Sequence, residues 1–249
     1  MISRIGGKSK LKNKIISLMP PHDTYVEPFV GGGSVFFSKT PAPINVINDK
    51  DIDIYNIYKD MKEVGDKMTN RDFTPERKKF DTLLKTNKFN SKEDRLYRNL
   101  YLSINSYSGN RNSFYIDSRV EKRIEKHKNG VDVGKKYKTS KWKDFLNNNK
   151  VFISNKDFKE VIRKFDSPNT LFYLDPPYSY SKTDYKYNVD PQDIYDALQG
   201  IKGKFMLSYD FNPEIRKLFD KYNIKKISTE YQIGGNNQQV KEYLISNFN

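Results

Sequence analysis

The chain of 249 residues contains no cysteine and only two histidines, His22 and His127. The first absence removes any disulfide framework, thiolate metal site or cysteine nucleophile. The second leaves too little imidazole for a His-rich metal centre or a His-driven hydrolase, so no metal is expected. Long apolar runs are also missing: nowhere do about 18 apolar residues stand together, as a membrane-spanning helix requires. The stretch from Met1 to Met19 is interrupted by Lys8, Lys10, Lys12 and Lys14, which does not suit a targeting segment. A soluble, unprocessed protein with no membrane association is the expectation.

Acidic residues are outnumbered, 31 against 45 Lys and Arg, for a formal charge of +14. Such a surface suits a polyanionic partner such as nucleic acid. Lysines number 35, arginines 10 and asparagines 24, a bias also produced by coding sequence rich in A and T. The distribution of charge bears on that alternative. Residues 1–60 carry +2, residues 61–150 carry +11 and residues 151–249 carry +1. Codon bias acts along a whole chain, so the concentration favours an anion-binding region between nearly neutral flanks, with a solvated helical face as the bland reading. A hydrophobic content of 36% supports one compact domain or a core domain carrying a sizeable insertion.

The flanks alternate short apolar runs with helical spacing. Strands are expected at Tyr25-Val26, Ile44 to Ile47, Val151 to Ile153, Leu171 to Leu174 and Phe205 to Leu207. Helices are expected to start at Ser34 to Ser38 and to cover Lys156 to Lys164, Pro191 to Gln199 and Pro213 to Tyr222. Two further extended stretches, Lys226 to Tyr231 and Val240 to Ile245, close the chain without a helix between them. The pattern predicts an α/β fold with a mostly parallel sheet and a terminal antiparallel hairpin. In the middle, Lys79 to Leu84 and Leu96 to Ile104 have helical spacing, whereas Asn105 to Val133 reads as a structured loop or hairpin. Asn147-Asn148-Asn149 marks the expected return to the core. The organisation predicted is a core of residues 1–60 and 151–249 with an inserted, mainly helical domain at 61–150.

Two motifs carry chemistry. Glu27-Pro28-Phe29-Val30-Gly31-Gly32-Gly33-Ser34 follows a predicted strand, and its glycines let a ligand approach the backbone closely. Phe36 stands where a nicotinamide-binding loop needs its third glycine, which weakens that reading. Gly6-Gly7-Lys8-Ser9 resembles the end of a phosphate-binding loop, but Ile2 occupies the required first glycine. Asp49, about 20 residues beyond the glycine loop, is placed to accept hydrogen bonds from ribose hydroxyls, or else caps a following helix. The second motif is Asp175-Pro176-Pro177-Tyr178, at the carboxyl end of the strand ending at Leu174. A proline pair there fixes a carboxylate, a carbonyl and an aromatic ring relative to one another, which suits a planar substrate with an exocyclic amine. A plain turn with two prolines is the alternative.

Together these segments resemble the Dam-like family of DNA adenine-N6 methyltransferases. The likeness runs through Arg4 to Lys8, Glu27 to Phe37, Asn48-Asp49, Asp157-Phe158, Phe172 to Tyr178, Leu207 to Asp210 and Gln238 to Asn247. It implies a Rossmann-like S-adenosylmethionine-dependent methyltransferase fold with an inserted target-recognition domain. It also implies an S-adenosyl-L-methionine pocket formed by Arg4, Gly7, Lys8, Glu27, Phe29, Gly31, Gly33, Asp49, Asp157 and Phe158. Lys8 would lie near the methionine end, Asp49 at the ribose, and Asp157 with Phe158 at the adenine; Asp157 reads equally as a helix cap. Asp175, Pro176, Pro177 and Tyr178 would be catalytic.

Tyr101 to Gly109 is similar to the family's stretch ahead of its DNA-reading hairpin, but the R-x-G-x-F-N-x-P pattern of members that read GATC does not follow it. Arg111, Arg119, Arg123, Lys135, Lys136 and Lys138 are candidate phosphate or base contacts, and Tyr107, Phe114 and Tyr115 candidate stacking residues; solvated loop charge is the rival explanation. The reaction implied is methyl transfer to N6 of an adenine flipped out of double-stranded DNA. Without cysteine, the thiolate route to C5-methylcytosine is closed. N4-cytosine methylation, an RNA adenine substrate and a catalytically silent DNA-binding protein are the competing readings. A monomer in the cytoplasm of a bacterium or of a virus-infected cell, with room for a companion restriction endonuclease, completes the expectation.

Overall fold

The computed structural model describes residues 7–106, 109–115, 139–178, 187–233 and 236–249. Its strands are β1 (Thr24–Glu27), β2 (Ile44–Asn48), β3 (Val151–Ser154), β4 (Thr170–Leu174), β5 (Lys204–Asp210), β6 (Asn223–Ile233) and β7 (Asn236–Ser246). The helices among the described residues are α1 (Lys12–Ser17), α2 (Ile52–Val64), α3 (Arg77–Lys85), α4 (Lys92–Ile104), α5 (Thr139–Asn148), α6 (Phe158–Phe165), α7 (Pro191–Ala197) and α8 (Pro213–Leu218). They divide into two compact units. One holds Lys8–Val30, Ser38–Asp51 and Asn149–Asn249, and the other contains Gly31–Phe37 and Ile52–Asn148.

The first unit is built on one seven-stranded sheet of order β3-β2-β1-β4-β5-β7-β6. Pairings from β3 through β5 are parallel, and β7 runs antiparallel to both β5 and β6. This is the Rossmann-like α/β architecture with a terminal hairpin that the sequence predicts. The chain leaves β1 toward β2 and β3 on one side, then returns to β4 on the other. The strand order therefore reverses between β1 and β4, and open α/β sheets bind ligands at the carboxyl ends of the strands flanking such a reversal.

Strand periodicity sorts the side chains of the sheet. One face presents Val26, Phe172, Leu174, Phe205, Leu207, Tyr243 and Ile245, all in one buried cluster with Val161 and Ile162 of α6, Ile194 of α7 and Ile215 of α8. The residues in alternation with them include Tyr25, Glu27, Tyr173, Ser208 and Glu242, which are also buried. The second face thus carries polar groups toward the carboxyl ends of β1 and β4. The flanking helices begin where their caps dictate: Asp157, Asp190 and Asn212 each accept an amide from the first turn, and Pro191 and Pro213 open α7 and α8.

The second unit is helical. Asp60 of α2, fully buried, accepts two bonds of 2.7 Å from Arg95 of α4 in a bidentate pair. Helix α5 was not evident from sequence, because its apolar positions Trp142, Phe145 and Leu146 are scattered among Lys141, Lys143 and Asp144. Those rings pack on the glycine-loop segment: Phe37 stacks with Trp142 at 5.8 Å, and Phe36 meets Phe145 at 5.6 Å. The Asn147–Asn149 run falls at the end of α5, followed by Lys150 in the left-handed region at φ 45°. The helix expected from Ser34 is absent. Residues 34–38 form turns with one helical bond, Phe37 N–H to Gly33 O at 3.1 Å. Glycines at 31 and 33, both at positive φ, break the regular geometry, and aromatic packing of Phe36 and Phe37 holds the turn instead.

Candidate active site

The carboxyl ends of β1, β2 and β3 are tied together by one side chain. Asn48, at the end of β2, is 1% exposed. Its Nδ2 donates to the carbonyls of Pro28 at 2.9 Å and Lys156 at 3.0 Å. Its Oδ1 accepts from Ser154 Oγ and the Lys156 amide, both at 2.8 Å. Every polar atom of the buried amide is satisfied, so it acts as a rigid strut under the segments that begin with Pro28, Asp49 and Asn155. Sequence reading singled out its neighbour Asp49; the signal for Asn48 is an amide in phase with a fully buried strand.

At the neighbouring strand end, Asp175 follows β4 directly and is 22% exposed. Lys8, 2% exposed, places its Nζ 2.8 Å from Asp175 Oδ1, 2.8 Å from the Tyr178 hydroxyl and 3.6 Å from Glu242 Oε2. The Tyr178 hydroxyl lies 3.4 Å from Asp175 Oδ1, and its ring stacks on Tyr209 at 5.2 Å. Burial pushes the Asp175 carboxyl above the ordinary carboxylate range, an effect the Lys8 ammonium offsets in part. Glu242 is raised for the same reason, with Lys8 again opposing.

Glu27, at the end of β1, accepts a 2.7 Å bond from the Tyr25 hydroxyl. Burial is the dominant influence and raises its carboxyl to about 8, with the nearby Asp175 charge adding to the effect. Lys39, whose ammonium donates to Thr40 O at 2.6 Å and lies over the Tyr25 ring, is lowered to about 8 by burial. The pocket end of the sheet thus holds carboxyls whose charge is expensive and which respond to any cation brought near them.

Of the remaining predicted cofactor residues, Phe29, Asp49, Asp157 and Phe158 follow these strand ends in the chain, and Gly31 and Gly33 stand in the glycine loop. Phe29 and Phe158 pair with centroids 5.2 Å apart. Asp157 caps α6 by accepting the Lys159 amide at 3.0 Å, while its second oxygen lies 4.0 Å from Lys50 Nζ. The cap reading of Asp157 therefore holds, with one oxygen left facing a half-exposed lysine. Asp49 accepts the Asp51 amide at 2.9 Å. In the helical unit, Gly31 lies at φ 47° with open space where a Cβ would project, and Tyr58 donates to its carbonyl at 2.8 Å. Gly33 differs: at φ 68°, an added Cβ would stand 2.8 Å from Phe37 and Tyr58. Backbone conformation alone favours glycine at 31, whereas at 33 protein packing adds to it. Gly7 is half-buried, and Arg4 lies outside the described residues.

Of the predicted DNA contacts, Arg111 is turned inward, 3.4 Å from Asp53 with a 12% exposed side chain. Phe114 packs edge-on against Phe80 at 5.4 Å, and Tyr115 is 47% exposed. The single bridge Ser106↔Phe114 is what the described residues contain of the expected hairpin. Tyr107, Arg119, Arg123, Lys135, Lys136 and Lys138 lie outside the described residues. Among the described residues there is no metal-ligand cluster and no helix long and apolar enough to cross a membrane.

A carboxylate beside a stacked tyrosine thus stands at the carboxyl end of β4, next to the reversal where open α/β sheets bind their ligands. The model of the D12 class N6 adenine-specific DNA methyltransferases matches residues 5–233, and the chain belongs to that family. It is 27% identical to the type II methyltransferase M1.LlaDCHI of Lactococcus lactis subsp. cremoris over 98% of this chain and 93% of the relative. It is also 27% identical to the type II methyltransferase M.MjaIII of Methanocaldococcus jannaschii, over 98% and 96% respectively. Among solved structures, precorrin 8w decarboxylase of Methanobacterium thermoautotrophicum is similar over 95% of this chain and 88% of its own, with a TM-score of 0.37 and 10% identity. The reaction class is methyl transfer from S-adenosyl-L-methionine to adenine N6 in DNA.

Proposed function

We propose that Asp175, Pro176, Pro177 and Tyr178 receive an adenine flipped out of double-stranded DNA, and that Asp175 is the acceptor that orients its N6 amine. The observation that carries this reading is the Lys8 ammonium 2.8 Å from Asp175 Oδ1, which supports that oxygen as an acceptor for an N–H donor. The residues around β1 and β2 fit a cationic nucleoside cofactor: Glu27 and Asp49 are acidic, and Phe29 and Phe158 form a ring pair. S-adenosyl-L-methionine, when bound there, supplies a methyl group attached to positively charged sulfur.

Asp175 and the Pro176 carbonyl hold the two N–H groups of the amine, leaving the nitrogen lone pair free. As the nitrogen gains positive charge, the Asp175 carboxylate stabilises it across a partly desolvated gap. Asp175 does not deprotonate the neutral amine, whose acidity is far too weak. It accepts a proton from the cationic nitrogen after the methyl group has moved, and its raised carboxyl makes it a better acceptor than an exposed aspartate. Tyr178, stacked on Tyr209, supplies the aromatic ring on which the base stacks.

The basic excess of residues 61–150 supports that segment as the DNA-reading part. A cytoplasmic monomer acting on one adenine at a time, alone or beside a companion endonuclease, fits this reading. The test is incubation with labelled S-adenosylmethionine and unmethylated duplex DNA, in parallel with RNA, followed by digestion to nucleosides and mass spectrometry. Label in N6-methyldeoxyadenosine from duplex is the expected result. Label in N4-methyldeoxycytidine or in RNA would overturn the base or the partner.

A further inference from the structure

We infer that Glu242 is a positioning residue for methyl transfer: it is a second seat for the Lys8 ammonium, which it draws off Asp175 when the substrate amine arrives. This rests on the reading of Asp175 as the acceptor of that amine. With Lys8 Nζ 2.8 Å from both Asp175 Oδ1 and the Tyr178 hydroxyl, the ammonium stands where the amine must dock. It would also leave a positive charge beside a nitrogen that is itself becoming positive, and like charges in a desolvated site disfavour that step strongly. Lys8 therefore has to move. At 2% exposure it has no direct route to water, so another buried acceptor must receive it.

Glu242 meets that requirement. Its side chain is 7% exposed, and its Oε2 is a buried oxygen with no hydrogen-bond partner, 3.6 Å from Lys8 Nζ. A buried carboxylate oxygen held at ion-pair distance, without a close hydrogen bond, has capacity for a nearer donor. A displacement of under about 1 Å would bring the ammonium to charge-assisted hydrogen-bond distance. The carboxylate reaches the site from β7, opposite Asp210 across the β5–β7 ladder, and the charged groups around it are Lys8 and Asp175, with the Tyr178 hydroxyl alongside. Asp210 Oδ1 is likewise buried without a hydrogen bond, but no ion pair with Lys8 accompanies it.

Single-turnover methyl transfer from bound S-adenosylmethionine to a duplex is measured for the full chain, Glu242→Gln, Lys8→Met and the double variant, with cofactor and duplex affinities determined separately. Glu242→Gln is expected to slow the transfer step about tenfold with affinities unchanged. The same substitution should have no effect in the Lys8→Met background, where there is no ammonium to relocate. Equal slowing in both backgrounds, or a loss confined to cofactor affinity, would overturn the inference. A crystal structure of the wild-type chain with S-adenosylhomocysteine and a duplex tests it without any variant: Lys8 should lie on Glu242 with the adenine amine on Asp175. Lys8 retained on Asp175 beside a docked amine would refute it. Near-normal transfer by Asp175→Ala would instead remove the underlying role of Asp175, so the two failures are distinguishable.

Discussion

Replacing Glu27 with Gln should make the protein more stable at neutral pH, by an amount that grows as pH rises. Burial raises the Glu27 carboxyl from 4.5 to about 8, so between those values the folded chain keeps a proton that the unfolded chain has released. Stability contributed by this group is fully present below pH 4.5 and is lost as pH climbs toward 8, because the unfolded state binds fewer protons. The slope is about 1.4 kcal/mol per pH unit, which makes the loss between pH 5.5 and 7.5 roughly 2 to 3 kcal/mol. Gln matches the neutral acid in shape, can still accept from the Tyr25 hydroxyl, and does not titrate. Lys39, lowered from 10.5 to about 8, contributes in the window above 8 and with the opposite slope, so it leaves the lower range nearly untouched. Urea unfolding followed by far-ultraviolet circular dichroism at pH 5.5, 6.5 and 7.5 gives the stability of each form. The difference between variant and wild type should widen steadily across that series. A constant difference would mean that Glu27 is ionised in the folded protein throughout, and the argument from burial would fail.

The same carboxyl predicts that binding of cationic S-adenosylmethionine near neutral pH releases protons from Glu27; calorimetry in buffers of differing ionisation enthalpy should detect this, and buffer-independent heats would refute it. Asp175→Ala should bind cofactor and duplex yet transfer methyl about 100 to 1,000 times more slowly, measured in single turnover. Gly33→Ala, which meets Phe37 and Tyr58 at 2.8 Å, should lower stability by about 2 to 4 kcal/mol, against about 1 to 2 kcal/mol for Gly31→Ala in open space; equal losses in thermal unfolding would contradict the packing argument. Duplex affinity, measured by fluorescence anisotropy, should fall at least tenfold between about 50 and 200 mM salt.

How far the fold was legible in the sequence depended on whether a residue's signal is local. Strand β4 reads directly because five consecutive buried positions, Thr170 to Leu174, end at a charged residue and two prolines. The terminal hairpin reads as well, since two extended stretches without an intervening helix leave little else for them to form. Helix α5 was lost because three apolar side chains give no clear stripe until Phe36 and Phe37 are known to face them. The glycine loop shows the same limit in reverse. Its composition signals close approach, but only the packing of Phe37 and Tyr58 separates Gly33, which makes room for protein, from Gly31, which has open space.

Within the active site the dividing line falls between motif and strand. Asp175 and Tyr178 stand in a short segment whose chemistry can be argued from four residues. Glu242 stands in β7, where positions 242 to 246 are all buried and no alternation marks which way an acid faces. What no local pattern supplies is the cation that makes such burial tolerable. Lys8 comes from the other end of the chain, and without it the buried Glu242 and the partly exposed Asp175 would be driven further toward neutrality. The Lys8 ammonium therefore offsets the effect of burial on both carboxyls, and this property belongs to the folded arrangement of β4, β7 and the amino-terminal lysine together.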